Sequence, residues 1–448
     1  MTEAPWRGRR IHLVGVGGAG MSAYARAAAA LGAEVSGSDA VAGAGTEALA
    51  ADGVLRASIG HARENVPGGA DLEVVYSSAV PEDNPERVAA RERGLRESPR
   101  AALLGELSAL RRTIAVAGTH GKTTTAAMLV HALRAAELEP SWLIGASAGG
   151  GLANGHWSAG EWLVVEADES DRSMLSLEVE IAVLTNVELD HHATFASLAE
   201  LRADFRAFLA RARASIVVWD RPELLELVPR GVSAPAVVTF EADELELGPH
   251  GVRMRWRGLA VALRVPGAHN ARNSLAALEA ARLAGADEAR AVAGVESFEG
   301  AARRFQLLGR ARGARVYDDY AHHPTEIVAT LEAATTLEPQ RVVAVFQPHL
   351  YSRTAALAPE FGRALALADV IAVLEVYPAR ERRENHPGVS GLLVAEAAAD
   401  AAAGKTVYWL PTFAGAEAAL RAELRDGDVC VAMGAGDIDV LGRALVDT

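Results

Sequence analysis

The chain of 448 residues has a single cysteine, Cys430, and only two lysines, Lys122 and Lys405. One cysteine excludes an intramolecular disulfide and a cysteine metal cage, and its setting, Asp428-Val-Cys-Val-Ala-Met433, reads as a buried core position in a reducing compartment. Positive charge is also short: 44 Lys+Arg against 58 Asp+Glu leave −14 at pH 7. This argues against nonspecific binding to nucleic acid or to an anionic membrane, so any anionic ligand must be captured locally. No apolar run approaches about 18 residues, and the opening residues 1–7 have no signal-type apolar core, so a soluble cytoplasmic protein is expected. What the chain does have is apolar content, 50% of its residues, enough for about three domains.

Where lysine is so rare, its position is informative. Lys122 lies in Ala117-Gly-Thr-His-Gly-Lys-Thr-Thr-Thr125, between a strand-like segment ending at Ala117 and a helix-like segment from Thr123 to Arg134. A strand, a glycine turn, Lys-Thr and a helix form a phosphate cradle. Backbone N–H groups and the helix dipole hold the anion, the compact ammonium of Lys122 neutralises it, and the Thr123 hydroxyl is placed to ligate Mg²⁺. Val116 stands where the usual loop has its first glycine, which marks a shortened variant.

Strand-like segments at 11–15, 34–37 and 72–76 alternate with alanine-rich helical stretches such as 21–31, the pattern of a parallel α/β sheet. The charged, proline-containing stretch 91–112 interrupts it, and a first boundary is placed near residue 107. A second α/β set follows, with strands expected at 113–117, 162–166, 181–186 and 215–219. An irregular, antiparallel segment is expected at 236–265, and a third α/β set from about 307. The domains are therefore expected at 1–107, 108–306 and 307–448, with sites at the carboxyl ends of strands.

Gly15-Val-Gly17-Gly18-Ala19-Gly20-Met21-Ser22 follows the first strand, and Asp39 ends the second. Alone this is a dinucleotide fingerprint with Asp39 on a ribose, which suggests a dehydrogenase. Such a turn reads only a diphosphate and a sugar, however, and a dehydrogenase has no use for a second phosphate loop, so a UDP-linked ligand fits better. Ser77, Ser78 and Ala79 end a neighbouring strand on the same side. In the second set, Trp162–Glu166 runs into Asp168, Glu169 and Asp171, and clustered carboxylates call for cations. Mg²⁺ fits, with Glu166 the first choice as ligand, Glu169 the second, and His191 a candidate for a second ion.

In chain order, GVGGAGMS, SSAV, GTHGKTTT, EADESD, NVELDH, PGAHNARN, GAARRF, DDYAHHPTE, FQPHLYSRT, VYPARE and GAGDI together resemble the Mur ligases of peptidoglycan synthesis, over nearly the whole chain. The resemblance implies a three-domain α/β architecture with a Rossmann-like N-terminal domain, a central P-loop ATPase-like domain and a Rossmann-like C-terminal domain. It implies ATP-driven amide formation through an acyl phosphate, with Mg²⁺, and the first, second and third domains handling UDP-sugar, ATP and amino acid. Within the family the wording is most like the branch that joins L-alanine to UDP-N-acetylmuramate.

Carried over residue by residue, Gly15, Gly17, Gly18, Ala19, Gly20, Met21, Ser22, Asp39, Ser77, Ser78, Ala79 and His120 are expected on the UDP-sugar. Gly118, Thr119, His120, Gly121, Lys122, Thr123 and Thr124 are expected on the ATP phosphates, His269, Asn270 and Asn273 on the adenine side, and Asp318 on the ribose. Arg304 is assigned to charge stabilisation in phosphoryl transfer, with Lys122 and His191. Tyr320, His322, His349 and Arg353 are expected to hold the amino acid, an arginine fork being the natural reader of its carboxylate. Thr123, Glu166 and His191 are the expected metal ligands. Leu350 stands where some members carry a basic residue, and Ala193 where many have an acid. Several relatives use a carbamoylated lysine past the histidine pair, and no lysine lies between Lys122 and Lys405 here; the alanine branch resembles this chain in lacking it. Competing readings are a ligase that reuses a preformed tripeptide, a non-catalytic UDP-sugar sensor and a dehydrogenase. A monomer or weak homodimer is expected.

Overall fold

Short, continuously apolar strands that alternate with helices are the mark of parallel sheets covered on both faces, and three such sheets organise this chain. The computed structural model describes residues 4–190 and 194–446. It divides into two compact units, Met1–Glu241 with Arg272–Ser297, and Ala242–Ala271 with Phe298–Thr448.

The first unit contains two sheets. One has five parallel strands in the order Ser58–Ile59, Glu34–Asp39, Arg10–Val14, Leu72–Tyr76, Arg96–Pro99. The order reverses between Arg10–Val14 and Leu72–Tyr76, which opens a crevice at their carboxyl ends. The stretch expected to interrupt the pattern is instead regular: the helix Pro85–Glu92, the strand Arg96–Pro99 and the helix Arg100–Ala109. An edge strand needs only one ladder and tolerates charge and proline, so Arg-Glu-Ser-Pro gives no apolar signal although it pairs. The helix after it buries Leu103, Leu104 and Leu107, each worth roughly 1.5–3 kcal/mol on full burial. Residue 107 falls inside that helix.

The other sheet has seven strands, in the order Ala236–Phe240, Ala212–Trp219, Val179–Leu184, Arg112–Ala117, Trp162–Glu166, Ser141–Leu143, Gly155–His156, all parallel but the last. The helix Lys122–Ala135 follows its middle strand and is buried almost all round, Met128, Leu129, Val130 and Leu133 included.

In the second unit, Asp243–Gly248, Gly251–Trp256 and Leu259–Leu263 form an antiparallel sheet; Val252, Met254 and Trp256 are buried while Arg253 and Arg255 are exposed, a period-two alternation. The third α/β sheet has the order Gln306–Ala311, Ala314–Asp319, Val429–Met433, Val342–Phe346, Val370–Val373, Thr406–Trp409, parallel apart from its first pair. Cys430 lies in its fully buried strand Val429–Met433, and burial pushes its thiol up to about 12. Among the described residues no helix is long and apolar enough to cross a membrane.

Candidate functional site

The first glycine turn is built by backbone bonds and one carboxylate. Gly15 N and Val16 N both donate to Ser38 O at 2.9 Å, and Gly17 N donates to Asp39 Oδ2 at 2.8 Å. Asp39 thus braces the turn, and a Cβ on Gly17 would fall 2.9 Å from its carboxylate. The helix Ala19–Ala30 starts at Gly18 with no side-chain cap, so its first N–H groups are available to an anion. The Met21 side chain is in the core, which leaves only its backbone for the turn. Ser22 Oγ donates to Ala19 O at 3.0 Å and accepts from Asn154 Nδ2 at 2.9 Å. Ser77 packs at Gly15, its Cβ 3.1 Å from where a glycine Cβ would lie, and Ser78 and Ala79 are exposed beside it. Turn and serines therefore share one crevice.

The second turn carries Lys122. Gly121 adopts φ +81°, a left-handed conformation, and a Cβ there would strike Asn273 Oδ1 at 2.5 Å. Thr119 Oγ1 donates to Glu188 O at 3.0 Å, and His120 N donates to Asn186 Oδ1 at 2.9 Å, which tie the turn to the next strand's exit. His120 Nε2 lies 3.0 Å from Glu188 Oε2. The Lys122 ammonium donates to Gly118 O at 2.7 Å and Thr119 O at 3.1 Å, and pairs with the fully buried Glu169 at 2.9 Å. Burial works against its charge, but Glu169, with Asp168 and Glu166, outweighs that and raises the pKa. Asp168, which burial alone would raise, is held at about 2 by Lys122 and Arg100.

In the same first turn of the helix, Thr124 is buried, and Thr123 Oγ1 donates to Glu166 Oε2 at 2.9 Å; Gly145 N donates to the same oxygen at 2.6 Å. A hydroxyl and a carboxylate, both oxygen donors, at the mouth of a phosphate turn fit the preference of Mg²⁺. Glu169 is already committed to Lys122. His191, also expected on metal and in catalysis, lies outside the described residues, as does Ala193.

In the second unit, Asn270 is buried and its Nδ2 donates to Pro266 O at 2.7 Å; His269 precedes it on the helix Ala268–Leu283. Arg303 and Arg304, adjacent in sequence, differ. Arg303 has φ +58° and is fully engaged, with Asp318 at 3.2 Å and with Gly436 O and Gly434 O at 2.9 and 2.7 Å. Among the described residues Arg304 has one long ion pair, with Glu326 at 3.9 Å, and both guanidinium groups lie near the Tyr320 ring centre, Arg303 at 5.1 Å and Arg304 at 5.0 Å. Asp318 is buried on Arg303, and its Oδ1 has no hydrogen-bond partner among the described residues. Asp319 accepts from Phe305 N and Ala321 N at 2.7 Å, and burial raises it to about 6 despite Arg304.

Tyr320, His322, His349 and Arg353 come together. Tyr320 and His322 rings are 5.2 Å apart, His322 and His349 6.0 Å, and Arg353 Nη1 is 3.3 Å from His349 Nδ1. Between the last two, Leu350 has φ +69° and ψ 132°, a conformation that belongs to glycine and costs about 1–3 kcal/mol. The rigid bend turns the chain into the helix Tyr351–Leu365, which carries Arg353.

Sequence reading missed a buried network in the first unit. Glu86, wholly buried, accepts from Ser38 Oγ at 2.7 Å and Asn65 Nδ2 at 2.9 Å, and lies 2.9 Å from His12 Nε2 and 3.1 Å from His61 Nδ1. Burial alone would raise its pKa; His12, Ser38 and Asn65 hold it at about 2. Its partners lie up to 74 positions away, so no local pattern announces it.

Comparison with known proteins accounts for this layout. Family models match in sequence: the Mur ligase family catalytic domain over residues 10–112, the Mur ligase middle domain over 116–281, and the Mur ligase glutamate ligase domain over 303–436. A curated protein of Mycolicibacterium vanbaalenii, named UDP-N-acetylmuramate–L-alanine ligase, is 42% identical, with 99% of this chain and 97% of that protein covered. The crystal structure of the UDP-N-acetylmuramate–alanine ligase of Thermotoga maritima superposes with a TM-score of 0.82 at 27% identity, over 97% of this chain and 98% of that one. A murein peptide ligase of Psychrobacter arcticus shares the fold, with a TM-score of 0.73 at 23% identity over 98% and 99% of the two chains. Two glycine turns at helix N-termini in one unit, and the three family segments in unbroken order along the sequence, have one explanation: the chain belongs to the Mur ligase family.

Proposed function

We propose that this protein joins L-alanine to UDP-N-acetylmuramate at the expense of ATP, in the cytoplasm. The observation that carries this reading is the presence in one compact unit of two separate glycine turns that open helices, 15–20 and 118–123, the second carrying Lys122 and the Thr123–Glu166 pair. One turn suits a sugar-linked diphosphate and the other a nucleoside triphosphate, and a transferable phosphoryl group is what an unactivated carboxylate needs. The names of the relatives support the choice of sugar and amino acid.

In the proposed reaction the lactyl carboxylate of the sugar attacks the γ-phosphorus, ADP leaves, and an acyl phosphate forms. The alanine amine attacks the acyl carbon, loses a proton, and the collapsing tetrahedral species expels inorganic phosphate. Mg²⁺, held by Thr123 and Glu166, would neutralise phosphate charge. Lys122 follows the moving phosphoryl group, Arg304 adds positive charge as it transfers, and Asp39 keeps the sugar-side turn in shape. His269, Asn270, Asn273 and Asp318 are assigned to the nucleoside, and Tyr320, His322, His349 and Arg353 to alanine. The segments 1–107, 108–306 and 307–448 are the proposed divisions for sugar, ATP and amino acid.

Phosphate release from ATP, measured with UDP-N-acetylmuramate and each amino acid in turn, tests the reading. L-alanine is expected to give the fastest release. Release that needs a preformed tripeptide instead would make the chain a recycling ligase, and NADH turnover would make it a dehydrogenase.

A further inference from the structure

Arg100 opens the helix Arg100–Ala109, and its guanidinium serves two places at once. Nε donates to Asp171 Oδ2 at 2.5 Å and Nη2 to Asp168 Oδ2 at 3.0 Å, so two nitrogens are fixed on the acidic run that leaves the strand Trp162–Glu166. Nη1 makes no hydrogen bond with a described residue, and it stands 2.8 Å from where a Cβ on Gly20 would lie. Only glycine allows that approach. The group is thus pressed against the first turn of the helix Ala19–Ala30, whose N-terminus is itself positive.

Asp171 and Asp168 compensate the guanidinium charge, while Nη1 still faces a positive helix end, an arrangement that an anion seated on the 15–20 turn would complete. The same arginine reaches the second phosphate turn through the carboxylates it holds. Asp168 lies in the field of both Arg100 and Lys122 and accepts from Ser170 N at 3.0 Å, and its neighbour Glu169 is paired with Lys122.

We infer that Arg100 is a positioning residue that couples the two anion sites: Nη1 donates to the anion on the 15–20 turn, while Nε and Nη2 hold Asp171 and Asp168 so that Glu169 stays on Lys122. The inference rests on the proposed function, in which the first anion is the diphosphate of the UDP-sugar and the second ligand is ATP. Each ligand then strengthens binding of the other by the same factor, since coupling of affinities is reciprocal.

Calorimetry on the full chain tests it, with UDP-N-acetylmuramate and Mg²⁺–adenylyl imidodiphosphate each titrated alone and in the presence of the other. The wild-type protein should show mutual enhancement of at least about fivefold. Arg100→Ala should bring the factor to about one and weaken the UDP-sugar alone by about tenfold, the loss of one charged hydrogen bond. Arg100→Lys keeps the charge without the fork and should also lose the coupling; it carries the test if the alanine variant does not fold. Enhancement that survives in both variants, or none in the wild type, overturns the inference and leaves Arg100 a structural ion pair. A wild-type chain that binds no UDP-sugar at all overturns the proposed function instead, a result distinct from binding both ligands independently.

Discussion

Glu169 Oε2 stands 2.9 Å from the Lys122 ammonium and has no solvent exposure of its own. The pair keeps the lysine charged and aimed along its turn. Lys122→Ala is therefore expected to lower turnover at least about 10³-fold, since it removes charge from phosphoryl transfer, while UDP-N-acetylmuramate still binds. Steady-state rates within about tenfold of wild type would take Lys122 out of the mechanism.

With Glu169 committed to Lys122, the proposed metal role falls to the carboxylate on Thr123. Glu166→Gln keeps the shape and the bond from Thr123 Oγ1 but removes one charge, so half-maximal activity should require more Mg²⁺. A magnesium titration identical to that of the wild type would return Glu169 to candidacy.

Arg353 sits beside His349 in the cluster assigned to alanine. A charge-paired contact is worth roughly 1.5–3 kcal/mol, about 10- to 150-fold in affinity. Arg353→Lys should raise the KM for L-alanine by part of that range and leave those for ATP and UDP-sugar nearly constant. If the ATP KM rises in its place, the arginine belongs to the nucleotide.

The Glu86 network gives a pH signature. The folded-state pKa, about 2, lies below the ordinary 4.5, so the stability Glu86 contributes is complete above about pH 4.5 and is lost as pH falls towards 2. Glu86→Gln should lower stability at pH 7 by at least about 2 kcal/mol, since a buried donor among its partners loses its acceptor. Urea midpoints for the two proteins should converge at low pH. A gap that stays constant from pH 7 to pH 3 would show that the loss is one of packing.

Continuous apolar strands and glycine turns made the three α/β sheets readable, because both features are local. The strand Arg96–Pro99 and the helix after it were hidden, since an edge strand need not be apolar and Arg100 reads as one more surface arginine until its partners at 168 and 171 are seen. Arg303 and Arg304 are adjacent and identical in type, and only the fold separates the one bound to Asp318 and two carbonyls from the one with a 3.9 Å contact to Glu326. His12, Ser38, His61 and Glu86 likewise meet only across strands.

The lone thiol in the strand Val429–Met433 is shut away and almost never a thiolate at neutral pH. A cysteine introduced on the surface would then be the only one a maleimide dye can reach, with no need to delete the native one.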